Sequence, residues 1–305
     1  SIDSFIQQLQ DIFKDQTQAM QFNSQMAQKD RNATLSVDKQ PHDRIGSCSE
    51  VENVGERNMD TLTRQLAQKH SRYTDSYALV IGCSKYGNNL EQLQTTTDCQ
   101  NLATALEQVG FNVKVLRNAQ VTKQNIFHQL FQMFKQVGNK SRVFIHFSGH
   151  GQILPQQDVA AGYFCCVDYA ETKLDTTTIR YEDLYSFIHQ YCPAQEALVS
   201  LDCCHSGSAL TVPLNQRNSE KSIFTIASCQ SQELAHETVQ GGLFTIALCN
   251  VLNSGNVQYY TAEEIAGRVA DVVQQVTQLK QSPVFGYNGS NNLFGWHFFI
   301  FCQQG

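Results

Sequence analysis

Two short motifs in this 305-residue chain carry side chains capable of covalent chemistry. Ser148-Gly149-His150-Gly151 follows directly on the apolar run RVFIHF (142–147), and Asp202-Cys203-Cys204-His205-Ser206-Gly207 follows directly on ALVSL (197–201). A thiolate is the nucleophilic form of cysteine, and an imidazole beside it can take the thiol proton and later return it to a leaving amine. The small residues in both motifs let backbone approach a substrate carbonyl and leave N–H groups for an oxyanion. A lone Cys after a strand is more often a small core residue, and a lone His in a loop is more often solvated. Two such motifs, each at the end of an apolar strand, favour a Cys-His pair over coincidence. Zinc is the competing chemistry, since His146, His150, Cys203, Cys204 and His205 are all ligand types. Adjacent Cys-Cys-His lacks the usual Cys-x-x-Cys bite, however, and no second ligand pair follows.

For the pair to meet, the two strands must be neighbours that end at one edge of a sheet. The rest of the chain provides for that. Tyr77–Cys83 (YALVIGC), Arg142–Phe147 and Ala197–Leu201 are short apolar runs of the kind buried on both faces. Phe111–Leu116, Ile223–Ala227 and Trp296–Cys302 also read as strands. Between them, helical periodicity runs from Thr95 to Val109, from a Thr122 cap to Val137, over Tyr181–Tyr191 and Leu243–Leu252, and from a Thr261/Glu264 capping box to Leu279. Strands alternating with helices imply an α/β fold with a mostly parallel central sheet and helices on both faces. Chemistry in such sheets gathers at the carboxyl ends of the strands.

The chain divides near residue 75, giving an N-terminal helical and loop segment (1–75) and a larger domain (76–305). The first thirty residues hold eight Gln, yet Ile2, Phe5, Ile6, Leu9, Ile12 and Phe13 share one helical face. Periodicity vanishes from Asp30 to Gly55, and Met59, Leu62 and Leu66 mark a second short helix. Net charge is −6 with 16% charged residues and no basic run, which argues against nucleic-acid binding. No apolar stretch approaches the ~20 residues of a membrane span, and no signal peptide is visible. Eleven cysteines, irregularly spaced and mostly inside apolar runs, read as reduced thiols in a cytoplasmic protein rather than a disulfide framework. The sequons at Asn32, Asn139 and Asn288 are then chance matches.

FSGHG (147–151) and LDCCHSG (201–207), with Cys204 54 residues after His150, resemble the caspase-like cysteine peptidases, whose separation is about 50. The DCCHSG form resembles metacaspases in particular, and four further stretches agree in outline: YALVIGCSKY, TTTDCQNLATAL, CCVDYA and IASCQSQELAHE followed by GGLFTIAL. The resemblance covers residues 76 to the C-terminus and implies a caspase-like fold. It makes His150 the general base and acid and Cys204 the nucleophile, with an oxyanion hole from the backbone N–H groups of Gly151 and Cys204. Cys203 is the alternative nucleophile. It also places Asp98, Ser148 and Asp202 in the primary substrate pocket. Two carboxylates in a partly desolvated pocket favour a cation, so the expected substrates are proteins and peptides cleaved after Arg or Lys. The other reading of Asp98 is a first-turn acid that complements the helix dipole.

Many metacaspases bind Ca²⁺ through an acidic cluster, one member of which lies seven residues after the nucleophile. Here that residue is Thr211, which argues against strong calcium activation, and no cofactor is required. Asp168, Glu182 and Asp183 remain candidate oxygen ligands, although Glu182 and Asp183 read better as a helix N-terminal acid pair. Arg217 and Lys221, and Lys29, Arg31, Lys39 and Arg44 upstream, are sites a basic-specific enzyme could cut in itself. The resemblance suggests a monomer, with residues 1–75 as a regulatory prodomain that limits access. The rival from another class is a catalytically silent scaffold of the same fold.

Overall fold

A computed structural model of the protein describes residues 61, 63–87, 90–93, 96–154, 161–212, 221–238, 241–253, 259–288 and 300–302. The helix expected at residues 2–13, the loop at 30–55 and Arg217 lie outside the described residues. Within them a six-stranded sheet runs in the order β12-β8-β7-β3-β1-β2. Its strands are β1 (Ser76–Gly82), β2 (Asn112–Arg117), β3 (Arg142–Ser148), β7 (Glu196–Asp202), β8 (Ser222–Ala227) and β12 (Val284–Asn288). All neighbouring pairs are parallel except β12 with β8. The central strands β3 and β7 are buried along their whole length, as expected where helices cover both faces of a parallel sheet.

Alternation along the strands builds two cores. Leu79, Ile81, Val143, Ile145, Phe147, Val199 and Leu201 pack with α2 (Lys123–Phe134) and α3 (Tyr181–Tyr191). Ala78, Val80, Phe144, Leu198, Phe224 and Ile226 pack on the opposite side with α1 (Thr96–Gln108), α4 (Leu243–Asn253) and α5 (Ala262–Thr277). The caps read from the sequence form. Thr122 Oγ1 accepts from the Asn125 N–H at 3.3 Å. Thr261 and Glu264 close a reciprocal capping box, the Thr261 N–H donating to Glu264 Oε2 at 2.7 Å.

Three features depart from the sequence reading. The strand expected over Trp296–Cys302 is found as Ile300–Cys302 (β13), which pairs antiparallel with β11 (Tyr259–Thr261) outside the main sheet. The sixth strand of the main sheet is instead β12, an edge segment with Phe285 and Tyr287 exposed. Asn288 anchors it, its amide accepting from Thr225 Oγ1 and donating to the Ala209 carbonyl, both at 2.8 Å. That amide is buried and engaged at both ends, so the sequon at Asn288 is no acceptor in the folded chain. The third departure is a small antiparallel sheet of β4 (Gly151–Leu154), β5 (Ala161–Cys165) and β6 (Thr178–Arg180). It starts at the residue after His150.

Candidate active site

The β3–β7 pairing sets the site. Their register places Ser148 opposite Asp202, so His150 and Cys204 each stand two residues beyond one register pair. The loops then interlock. The Gly149 N–H donates to the Asp202 carbonyl at 3.1 Å, and Gly151 lies so close that a Cβ there would sit 2.3 Å from the Cys204 carbonyl oxygen. Only glycine permits that approach. The two motifs therefore meet at the carboxyl edge of the sheet.

Cys204 is shaped by the turn that follows it. His205 is left-handed at φ 60, a conformation costing about 1–2 kcal/mol for a residue with a Cβ. It is held by its backbone N–H on the Glu233 carbonyl (3.1 Å) and by its Nδ1–H on the Ser231 carbonyl (2.9 Å). A 3₁₀ turn, Ser206–Thr211, starts immediately after it. Nine cysteines among the described residues are free thiols, eight of them buried and Cys204 partly exposed. Burial pushes the Cys204 thiol above its ordinary range, and the Ala235 N–H partly offsets this. Its resting form is therefore the thiol, which needs a base. Cys203, by contrast, is fully enclosed, with Sγ 3.3 Å from the Tyr181 hydroxyl and its ionisation pushed far up by burial.

His150 is oriented by the loop after β1. Its Nε2 lies 2.8 Å from the Glu91 carbonyl. A carbonyl can only accept, so Nε2 carries the proton and Nδ1 is left with the basic lone pair. The Tyr86 hydroxyl accepts from the His150 backbone N–H at 2.8 Å, and the two rings lie 4.9 Å apart. That loop is itself pinned. The Asn118 side chain accepts from the Ser84 and Lys85 N–H groups (2.9 and 3.1 Å), and Gln92 bonds both the N–H and the carbonyl of Tyr86.

Behind the thiol lie the two expected carboxyls, both buried. Asp98 Oδ1 accepts from the Cys99 N–H and Oδ2 from the Gly242 N–H, at 2.6 and 2.9 Å. Asp202 Oδ2 accepts from the Thr245 N–H (3.1 Å) and the Thr245 hydroxyl (2.6 Å). Burial lifts Asp98 to about 7, with the nearby Asp202 adding to it. Burial likewise lifts Asp202 to about 6. The backbone of β10 (Gly241–Gly242), which pairs antiparallel with β9 (Glu237–Thr238), passes against both, since a Cβ on Gly242 would sit 2.1 Å from Asp202 Oδ2 and one on Gly241 2.6 Å from the Asp98 carboxyl. Ser148 is buried beside them with an unpartnered hydroxyl.

The zinc ligand types named in the sequence have other partners here. His146 faces the sheet interior between Ser200 and Thr245, and His205 is committed to Ser231. Among the described residues no three His, Cys, Asp or Glu side chains converge as a metal site. Thr211 is spent inside its own turn, donating to the Ser208 carbonyl at 2.8 Å. Glu182 and Asp183 stand in the first turn of α3, Asp183 3.6 Å from Lys123 Nζ. Tyr86, Glu91, Thr245 and the Gly241–Gly242 pair had no role in the sequence reading. Their one signal was that Tyr86 closes the YALVIGCSKY stretch, with Glu91 five residues on, and that Gly241, Gly242 and Thr245 lie inside GGLFTIAL.

A cysteine and a histidine just beyond the ends of adjacent parallel strands fit the resemblance read from the sequence, and comparison with known proteins agrees on the family. The caspase domain family (Peptidase C14) matches residues 75–293, and the chain belongs to that family. Within it the protein is of the metacaspase type. Metacaspase-6 of Arabidopsis thaliana is 29% identical over 145 residues, which is 44% of this chain and 38% of that protein. Metacaspase-1 of Coccidioides immitis is 26% identical over 234 residues, 71% of this chain and 49% of that protein. The matched regions span half or less of these relatives. Among solved structures, protein GSU0716 from Geobacter sulfurreducens superposes with a TM-score of 0.58 at 18% identity, covering 72% of this chain and 95% of that one. Caspase-1 from Spodoptera frugiperda gives 0.53 at 16% identity, covering 69% and 85%. These two show the shared fold.

Proposed function

We propose that the protein is a cysteine endopeptidase that cleaves after Arg or Lys, with Cys204 as nucleophile and His150 as base and acid. The observation that supports this reading is the β3–β7 register, which pairs Ser148 with Asp202 and so starts the His150 and Cys204 loops at one edge of the sheet, where Asp202 and its neighbour Asp98 are buried. His150 Nδ1 takes the thiol proton as sulfur attacks the scissile carbonyl, and the N–H groups of Cys204 and Gly151 receive the oxyanion. The imidazolium then protonates the leaving amine, and water attacks the thioester with the same base. Asp98 and Asp202, with Ser148 on the strand beside Asp202, take the guanidinium or ammonium of the residue before the cut.

Cys204→Ala is expected to lose turnover of Arg and Lys reporters by about a thousandfold or more, while Cys203→Ala retains it. Retained activity in Cys204→Ala, or preferred cleavage after Asp, overturns the assignment. We further propose that the enzyme is a monomer and that it works without calcium. Thr211 in place of an acid and Asp183 beside Lys123 support the second point, and equal rates in excess chelator and in millimolar Ca²⁺ are the expected result. Self-processing is proposed at Arg217 rather than Lys221. The Lys221 ammonium donates to the carbonyls of Ile188, His189 and Cys192 and closes the end of α3, so cutting after it first requires breaking those bonds.

A further inference from the structure

Beneath the proposed pocket runs a buried line of polar side chains that the chemistry at Cys204 does not use. Ser200 Oγ lies 3.0 Å from His146 Nδ1, His146 Nε2 lies 3.3 Å from Thr245 Oγ1, and Thr245 Oγ1 lies 2.6 Å from Asp202 Oδ2. All four side chains are buried, and they come from β3, β7 and α4. Each link in such a low-dielectric place would be costly to leave unmade.

Proton accounting gives the line a direction. An ionised carboxylate can only accept, so the Thr245 hydroxyl donates to Asp202. Its oxygen then accepts from His146, which fixes the proton on Nε2. His146 Nδ1 is left to accept, and the Ser200 hydroxyl donates to it. Burial alone holds His146 down near 3, so it stays neutral, and it keeps this tautomer while Asp202 is ionised. Every donor in the row points toward Asp202.

We propose that His146 and Thr245 are positioning residues for the primary pocket: their one-way donor chain fixes the Asp202 carboxyl and favours its ionised form for a cationic substrate side chain. This rests on the endopeptidase reading above. The charged and titratable groups facing Asp202 are Asp98 and Cys99 from α1, His146 from β3, and Cys203 and Cys204 from its own loop. Ser228 adds a hydroxyl on the β8 side. Asp98, Cys99 and the two thiols all act against a second negative charge there. The Thr245 hydroxyl and N–H, with Ser228, are the donors that act for it.

The test combines a titration with kinetics. Asp202 is followed by carboxyl ¹³C NMR, assigned with Asp202→Asn, in the full chain. In Thr245→Val, which keeps the β-branched shape and the backbone N–H, the Asp202 midpoint is expected to rise by about one pH unit, and Thr245→Ser should restore it. His146→Leu should raise the midpoint less, and His146→Gln, which can still donate to Thr245, should restore it. On an Arg reporter at pH 6, KM is expected to rise several-fold in Thr245→Val with a smaller change in kcat. The rate of Cys204 alkylation by iodoacetamide checks that the nucleophile loop is intact. An unmoved Asp202 midpoint in Thr245→Val overturns the donor chain. A moved midpoint with unchanged KM overturns its role in specificity. A normal midpoint shift in a protein whose wild type cleaves neither Arg nor Lys reporters sinks the endopeptidase reading and leaves the chain standing.

Discussion

Asp98 and Asp202 share one buried space, and each resists ionisation there, with burial the larger cause in both. There the pair holds protons that a free carboxyl would have lost. A bound guanidinium reverses this, because an opposite charge favours the ionised form. KM for an Arg reporter is therefore expected to fall as pH rises from 5.5 to 8, and binding near pH 6.5 should release protons, measurable by calorimetry in buffers of different ionisation enthalpy. Stability runs the other way. Both folded-state values lie above the ordinary 3.8, so between about pH 4 and 7 the folded chain holds more protons than the unfolded one. Their contribution is full below pH 4 and is lost as pH rises through 6 to 7. Asp98→Asn should flatten the decline in Tm between pH 5 and 8, and an unchanged decline would show that Asp98 ionises at its ordinary value. The motifs and both aspartates were legible in the sequence, the aspartates through the family resemblance. Thr245 and His146 were not, since Thr245 meets His146 from 99 positions away and Asp202 from 43. No local spacing encodes such a contact.

Among the elements, the βα units gave the clearest sequence signal, because a strand buried on both faces is apolar without interruption and its helices show a clean period. β12 and the β4–β6 sheet gave little. Their strands are three to five residues long and depend on partners found elsewhere in the chain. Yet this minor sheet matters to the site, because β4 opens at Gly151 against Cys204. The Cys165 N–H donates to the His150 carbonyl at 2.9 Å, tying β5 to the same loop. Gly151→Ala places a methyl group where the Cys204 carbonyl stands, and neither backbone can yield without moving a motif. A displacement near 1 Å is enough to cost about a hundredfold in kcat. A crystal structure of the variant with the loops unmoved, or full turnover, would show that the contact is slack.

For the whole molecule, the described part of the N-terminal segment belongs to the packed body. Residues 63–70 are helical. Lys69 pairs with Glu196 at 3.0 Å, and the Thr74 N–H donates to the Lys140 carbonyl at 3.2 Å. The buried Arg142 guanidinium lies between the rings of Tyr73 and Phe111, 4.8 Å from each, and donates to Ser76 Oγ. Deleting residues 1–75 uncovers that cation, so Tm is expected to drop by several degrees. Turnover of the same truncated chain tests the prodomain reading, with a rise expected if upstream residues limit access and no change counting against it.

These contacts share a location. Glu196, Arg142 and Ser76 are the starting residues of β7, β3 and β1, while the thiol opens where those strands finish. Seven residues of β7 at about 3.3 Å each separate the two ends by roughly 20 Å. A solid support attached to the 63–74 segment would therefore hold the protein by the far side of its sheet. The edge that carries Cys204 and His150 would face the solution, open to a large molecule arriving from it.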